Sequence, residues 1–322
     1  MIPHALFVSL MVALAQAQSP SPLALARTAI TPDQVRKDIA ELASDEMGGR
    51  FFRSPFAEKA AQWIVARMAS EGVTMERKTI DTNAETGPNL VGVLDPRPET
   101  RTDGCVLVTA HYDHLRPKRS GDDKIHNGAD DNASGVAGMI AVAHALQSCA
   151  AAGVGPRCRV LFVAFNGEEA GMVGSRAFVK DPPVPLGEIR AVFNMDMISR
   201  GKPREIFIDG GPKGATVIAT LRRANEAIGL KLRVDEHPDW LDRSDQGPFL
   251  KKGVPAVLFS VEDHEDYHKV SDEVAKIDAS LAAEVAQLVA LAAIDAAAEP
   301  FAARKDPEPA PPATIPAPPK AP

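Results

Sequence analysis

The feature that most constrains the fold is a series of short apolar runs, each followed at once by residues that seek metals or protons. Val106-Leu107-Val108-Thr109-Ala110 leads into His111 and Asp113, and Arg159 to Phe165 leads into Asn166-Gly167-Glu168-Glu169. Ala191 to Ile198 carries Asp196 near its end, and Pro255 to Ser260 precedes His264, Tyr267 and His268. Continuous apolar runs this short, bounded by turn residues, read as buried strands. Between them lie helical patterns over Ala133–Leu146, Ala215–Ile228 and the Ala-rich stretch Val274–Ala298. Strands alternating with helices predict a three-layer α/β/α sandwich around a mixed, mostly parallel sheet. Short segments near Met75–Ile80 and Leu90–Leu94 supply antiparallel edge strands, Glu205–Asp209 a further strand, and Trp240–Phe249 a loop. In open α/β sheets, ligands bind outside the carboxyl ends of the strands. The acidic and imidazole side chains therefore gather where a site is expected.

The rest of the chain divides around this unit. Residues 1–17 read as a signal peptide: the apolar run Ala5–Ala15 is too short to span a bilayer and ends in the small-x-small pattern Ala15-Gln16-Ala17. The expectation is an exported protein, periplasmic or secreted, that has no membrane contact once the signal is removed. Residues 18–30 read as a spacer, and 31–298 as one catalytic domain. Thr31 and Pro32 open its first helix, as cap and first helical position. An amphipathic helix follows from Ala57 to Ser70, after a break at Leu42–Arg50. Residues 299–322, rich in Pro and Ala, read as a disordered tail. Of the three cysteines, Cys149 and Cys158 flank a short Gly- and Ala-rich connection that a disulfide would suit in an exported protein. Cys105 reads as a small buried apolar residue.

A formal net charge of -7 and the lack of a basic stripe argue against nucleic acid as a partner. The informative charges are His111, Asp131, Glu168, Glu169, Asp196 and His268. Singly, each has a plain structural reading, such as a helix cap or a charge near a helix start. Together in one dry pocket, the carboxylates would repel and be costly to ionise, and cations remove that cost. Imidazole mixed with carboxylate suits zinc. Two histidines and three carboxylates exceed one four-coordinate site but suit two zinc ions sharing a carboxylate, with a bridging hydroxide balancing the charge.

The motifs Leu42-Ala43-Ser44-Asp45-Glu46-Met47, Ala110-His111-Tyr112-Asp113-His114, Gly128 to Gly135, Gly167-Glu168-Glu169-x-Gly171, Asn194-Met195-Asp196-Met197 and Tyr267-His268-x-x-x-Asp272 carry a resemblance. The chain resembles the co-catalytic di-zinc exopeptidases of metallopeptidase family 28, the group of the bacterial leucyl aminopeptidases and glutamate carboxypeptidases. The resemblance implies His111 and Asp196 on one Zn2+, Glu169 and His268 on a second, and Asp131 bridging them. It makes Glu168 the general base, lets Asp113 orient His111, and places a cis peptide at Asp131-Asn132. His114 and His264 match no ligand position and read as loop or supporting histidines. Ser244-Asp245-Gln246-Gly247-Pro248-Phe249 resembles a segment near the substrate pocket, with Gln246 where His is frequent. Asp245, Gln246 and Tyr267 are therefore the expected substrate contacts. No protease-associated domain interrupts the early strands. The implied activity is hydrolysis of peptide bonds, with removal of N-terminal residues from peptide substrates. A glutaminyl cyclase and a non-catalytic binding module share the scaffold, but the complete set of ligand positions favours the peptidase.

Overall fold

The computed structural model describes residues 20–80 and 87–304; the expected signal peptide and the tail beyond Arg304 lie outside the described residues. Among the described residues eight strands form one sheet: β1 (Met75–Lys78), β2 (Asn89–Leu94), β3 (Cys105–His111), β4 (Arg159–Phe165), β5 (Ile189–Met195), β6 (Glu205–Asp209), β7 (Lys231–Val234) and β8 (Ala256–Ser260). Their order is β1-β2-β4-β3-β5-β8-β6-β7. The central strands β4, β3, β5 and β8 are parallel, so their carboxyl ends share one edge. β1 and β2 are antiparallel additions on one flank. On the other flank β6 runs antiparallel to β8 and parallel to β7.

Strand side chains alternate between two cores, as the pleat requires. From β3, Val106, Val108 and Ala110 enter one core, while Cys105 and Leu107 enter the other. From β4, Val160, Phe162 and Ala164 oppose Leu161, Val163 and Phe165 in the same way. Six helices cover the first face: α1 (Pro22–Ala29), α2 (Pro32–Leu42), α3 (Pro55–Ser70), α4 (Gly135–Ala151), α6 (Gly211–Ile228) and α8 (Ala279–Ala298). Two shorter ones, α5 (Val173–Lys180) and α7 (Gln246–Lys251), cover the second through Phe178, Val179, Phe249 and Leu250. The expected three layers are present. Both α4 with its leading turn and α8 are long and apolar enough to cross a membrane, but 78% of each apolar window is buried inside the fold. They are core helices, apolar all round because they are covered all round.

Several expectations change. The stretch read as a spacer contains α1, whose N-cap Ser21 accepts from Ala24 N and whose Ala26 is buried in the first core. The stretch read as a loop contains a turn at Pro238–Asp242 and the short helix α7, which packing rather than a long periodic pattern defines. α8 begins at Ala279, because Asp278 caps it by accepting from Ser280 N and Leu281 N. Cys149 and Cys158 are free thiols: Cys149 Sγ turns toward Pro22 O at 3.9 Å, while Cys158 is buried in the sheet core. Cys105 is buried as expected, and burial pushes its thiol up to about 12.

Residues 299–304, expected to be tail, dock on the domain. Arg190 Nη1 donates to Glu299 O at 2.7 Å, its guanidinium lies 4.5 Å from the Phe301 ring, and Arg304 N donates to Gly187 O at 3.0 Å. A chain ending at Ala298 should therefore be less stable than one ending at Arg304, by about 1–3 kcal/mol for the lost bonds and stacking. Thermal melts of the two truncated proteins measure the difference; equal midpoints would mean that the contact contributes nothing.

Candidate metal centre

The site forms where β3, β4 and β5 end side by side. β3 closes with His111, and Tyr112 N donates to Phe165 O at 2.9 Å, so the chain leaves β3 beside the end of β4. His111 Nε2 lies 3.1 Å from Asp196 Oδ1, just past β5, and 3.5 Å from Asp131 Oδ1. Its Nδ1 lies 3.1 Å from the backbone oxygen of Asp113, closer than the 3.7 Å to the carboxylate. Asp113 thus orients His111 through its main chain. Its carboxylate instead accepts from Glu168 N at 3.1 Å and Glu169 N at 3.4 Å, pinning the two glutamates to the β3 end.

Asp131 sits in the turn before α4, and the peptide after it is cis. Gly128 opens that turn at φ 56°, a left-handed conformation that a side chain rarely adopts. A Cβ there would stand 2.1 Å from Asp131 O and 2.6 Å from the His114 ring, so only glycine fits. The turn is held by polar groups. The Asp272 carboxylate accepts from Asp130 N at 3.1 Å and Asp131 N at 3.0 Å. Asn132 Oδ1 accepts from Gly135 N and Met197 N, and its amide donates to Met195 O at 2.9 Å. The Asp131 carboxylate then points its two oxygens at different neighbours. Oδ1 faces His111, while Oδ2 lies 3.3 Å from His268 Nε2. Glu169 Oε2 is also 3.3 Å from His268 Nε2, and Glu169 Oε1 is 2.8 Å from His114 Nδ1.

Two donor groups result, His111–Asp131–Asp196 and His114–Asp131–Glu169, with His268 at the rim of the second. Donors bound tetrahedrally at ~2.0 Å would stand about 3.3 Å apart. The 3.1, 3.5 and 3.3 Å separations around His111 and His268 match that edge. The donors around Asp131 therefore stand at spacings that fit divalent-cation binding.

Without a cation the charges are costly. Burial raises Glu168 well above the usual carboxylate range, and burial pushes Glu169 up to about 7. Burial, then the Glu169 charge, raises Asp131 as well. Asp196 goes the other way: burial opposes its ionisation, but His111 beside it more than compensates. Burial also opposes a charge on His111, which Asp196 and Asp113 overcome. His114, fully buried, is pushed down to about 3 and is neutral.

A cavity of about 250 Å³ opens over the cluster, bordered by Asp131, Glu168, Glu169, Asp196, Trp240 and Tyr267 among others. Tyr267 stacks on His268 with ring centroids 3.8 Å apart and borders the cavity. Gln246 does not. It is fully buried, donates to Trp240 O at 2.7 Å, and its Oε1 lies 3.4 Å from Asn194 Nδ2, bracing the segment from beneath. Asp245 is likewise fully buried, and burial pushes its carboxyl up to about 7. The substrate contacts expected of these two are corrected: both lie behind the cavity wall.

The structure also places residues outside the expected ligand set. His264 Nε2 lies 3.2 Å from Asp130 Oδ2, supporting the turn. Arg50, fully buried, donates to the carbonyl oxygens of Leu42, Tyr112, Asn127 and Gly128, tying three motifs together beneath the site. Its place at the end of the helix-breaking stretch Leu42–Arg50 was its only sequence signal. His114 had the spacing of His-x-x-His, but an extended strand would send those side chains to opposite faces. The chain turns out of β3 after His111, and both rings reach the same pocket.

Comparison with known proteins agrees with this fold. The zinc aminopeptidase BSAP of Bacillus subtilis superposes with a TM-score of 0.69 at 17% identity, covering 83% of this chain and 95% of that one. A glutaminyl cyclase of Porphyromonas gingivalis superposes at 0.64 and 18% identity, over 81% and 97% of the two chains. The fold is thus one that more than one chemistry uses. The model of Peptidase family M28 matches residues 89–293, and the chain belongs to that family. Leupeptin-inactivating enzyme 1 of Streptomyces exfoliatus is 25% identical over 254 residues, 78% of this chain and 53% of that protein. Aminopeptidase YwaD of Bacillus subtilis is 28% identical over 227 residues, 66% and 45% respectively. The chain spans about half the length of these curated relatives.

The raised carboxylates set a pH dependence. A group whose folded pKa lies above its unfolded value stabilises the fold at low pH and loses that contribution as pH rises through the folded pKa. For Glu169 the window runs from 4.5 to about 7. The metal-free protein should therefore lose stability from pH 5 to 8, and a divalent cation should raise its melting temperature more at pH 8 than at pH 5.5. Melts with and without added cation at both values test this; an equal rise at both would contradict it.

Proposed function

We propose that this chain is an aminopeptidase carrying two zinc ions, which removes N-terminal residues from peptides. The observation that carries this reading is the Asp131 carboxylate, whose oxygens face two separate donor groups, one toward His111 and one toward His268. In it, His111 and Asp196 hold one ion, Glu169 and His268 the other, and Asp131 is shared. The mix of imidazole and carboxylate suits zinc over magnesium or calcium. When bound, zinc supplies Lewis acidity for a carbonyl and a water acidic enough to attack near neutral pH.

The chain's own residues do the rest. Glu168 borders the cavity beside the donors without belonging to either group, so its carboxylate is free to take a proton from water and return it to the leaving amine. Asp113 holds Glu168 in place by accepting its backbone N–H. Burial has already raised the proton affinity of Glu168, as a group that must both accept and donate requires. Trp240, Leu258 and Tyr267 give the cavity an apolar wall for a substrate side chain. Export belongs to the same proposal, resting on the run that ends in Ala15-Gln16-Ala17. Mass spectrometry of protein recovered from cells should find Gln18 as the mature N-terminus; recovery with Met1 intact would exclude cleavage.

The adjacent glutamates separate the roles. Glu168→Ala should retain both ions and lose turnover by ~10²–10⁴-fold. Glu169→Ala should lose one ion or hold it weakly, and Asp131→Ala should weaken both. Metal analysis of the three variants, with an assay for free amino acid released from peptides, checks the assignment. Loss of metal from Glu168→Ala with none from Glu169→Ala would reverse it. Cyclisation of N-terminal glutamine without amino acid release would identify a cyclase instead.

A further inference from the structure

His114 is absorbed by neither the ligand set nor the proton transfer described above, yet it is fully buried at the centre of the site. Its Nε2 has no hydrogen-bond partner among the described residues, so its one polar anchor is Nδ1, 2.8 Å from Glu169 Oε1. The ring is wedged beneath Gly128, whose missing Cβ would stand 2.6 Å from Cδ2, and its edge meets the rings of His126 and His268 at 6.3 and 6.0 Å. It cannot swing away without moving the Asp131 turn. A carboxylate only accepts, so the ring proton belongs on Nδ1.

Two roles are open to a ring so placed: a further metal ligand, or a donor that holds a ligand. The distances decide. Two donors on one tetrahedral ion stand about 3.3 Å apart, as His268 does from both Asp131 and Glu169. His114 Nδ1 is only 2.8 Å from Glu169 Oε1, a hydrogen-bond length, and 3.7 Å from Asp131 Oδ2. The other Glu169 oxygen, Oε2, is the one that faces His268.

We propose that His114 is a positioning residue for the second metal: its Nδ1–H holds Glu169 Oε1, leaving Oε2 as a single-oxygen ligand aimed at the ion. This inference rests on the two-ion reading. Outer hydrogen bonds of this kind fix the orientation of a ligand and so set metal affinity. They also keep the carboxylate from closing on the ion with both oxygens, which would take up a coordination position.

The test compares His114→Leu, which fills the space without a donor, with His114→Asn, whose amide N–H reaches about the place of Nδ1. Zinc content after dialysis against graded zinc buffers gives the affinity of each ion, and the absorption of the cobalt-loaded proteins reports the coordination number. The wild type should hold two ions. His114→Leu should keep one and bind the other ~10–100-fold more weakly, with an altered cobalt spectrum. His114→Asn should restore most of the affinity and the wild-type spectrum. If His114→Asn falls as far as His114→Leu, the ring is itself a ligand and the proposal fails. It fails equally if His114→Leu, folded by circular dichroism, binds both ions unchanged, since the ring then only packs. A wild type that binds a single ion would instead overturn the two-ion reading.

Discussion

The constraint on which the rest of this structure depends is the gathering of four carboxylates, Asp131, Glu168, Glu169 and Asp196, largely buried at the wall of one cavity. Burial first, and then the charges of neighbouring carboxylates, raise three of them, so ionising them without cations is costly. The partnership with His111, helped by Ser244 and His268, keeps Asp196 acidic. Such a pocket is unfavourable by itself and becomes favourable when cations enter. The stability of the fold and the occupancy of the site are therefore one quantity seen from two sides.

Holding the carboxylates in place takes a second set of buried polar groups, and each is spent on backbone. Asp272 satisfies the N–H groups of Asp130 and Asp131, Asn132 ties the start of α4 to the end of β5, and Asp113 fixes Glu168 and Glu169. Asp130 in turn accepts from Ser199 N and Ser199 Oγ, both at 2.7 Å. Beneath them Arg50 bonds to four carbonyl oxygens; burial lowers it to about 10, while Asp131 and Asp272 help keep it charged. Replacing any of these groups with an apolar side chain would leave buried N–H or C=O groups without partners, at about 1–3 kcal/mol each. The frame is rigid because its polar groups have few alternatives.

His268 differs from this frame. Its side chain is 38% exposed at the cavity mouth, covered on one side by Tyr267. It reaches the second donor group from a loop held through Asp266, which pairs with Arg200 and Lys276. The two donor groups thus differ in kind. The one around His111 is sealed between strand ends, whereas the one around His268 closes from the surface, with His114 sealing it from behind.

Much of this was legible in the chain itself. Apolar runs placed β3, β4, β5 and β8 within a few residues, since a strand buried on both faces tolerates little else. The residues following those runs had to lie at one edge once the strands were parallel, so His111, Glu169 and Asp196 were readable as neighbours. What sequence could not supply were groups whose role depends on direction after the strand ends. His114 reads as pointing away from His111 until the chain turns. Gln246 and Asp245 lie in a segment whose short helix rotates them behind the cavity wall. α1 and residues 299–304 carry weak patterns and gain order from the surfaces they cover. Local chemistry determined which residues seek metal. The tertiary fold decided which of them face it, because a side chain's direction follows from backbone turns that packing selects, and no spacing along the chain encodes that choice.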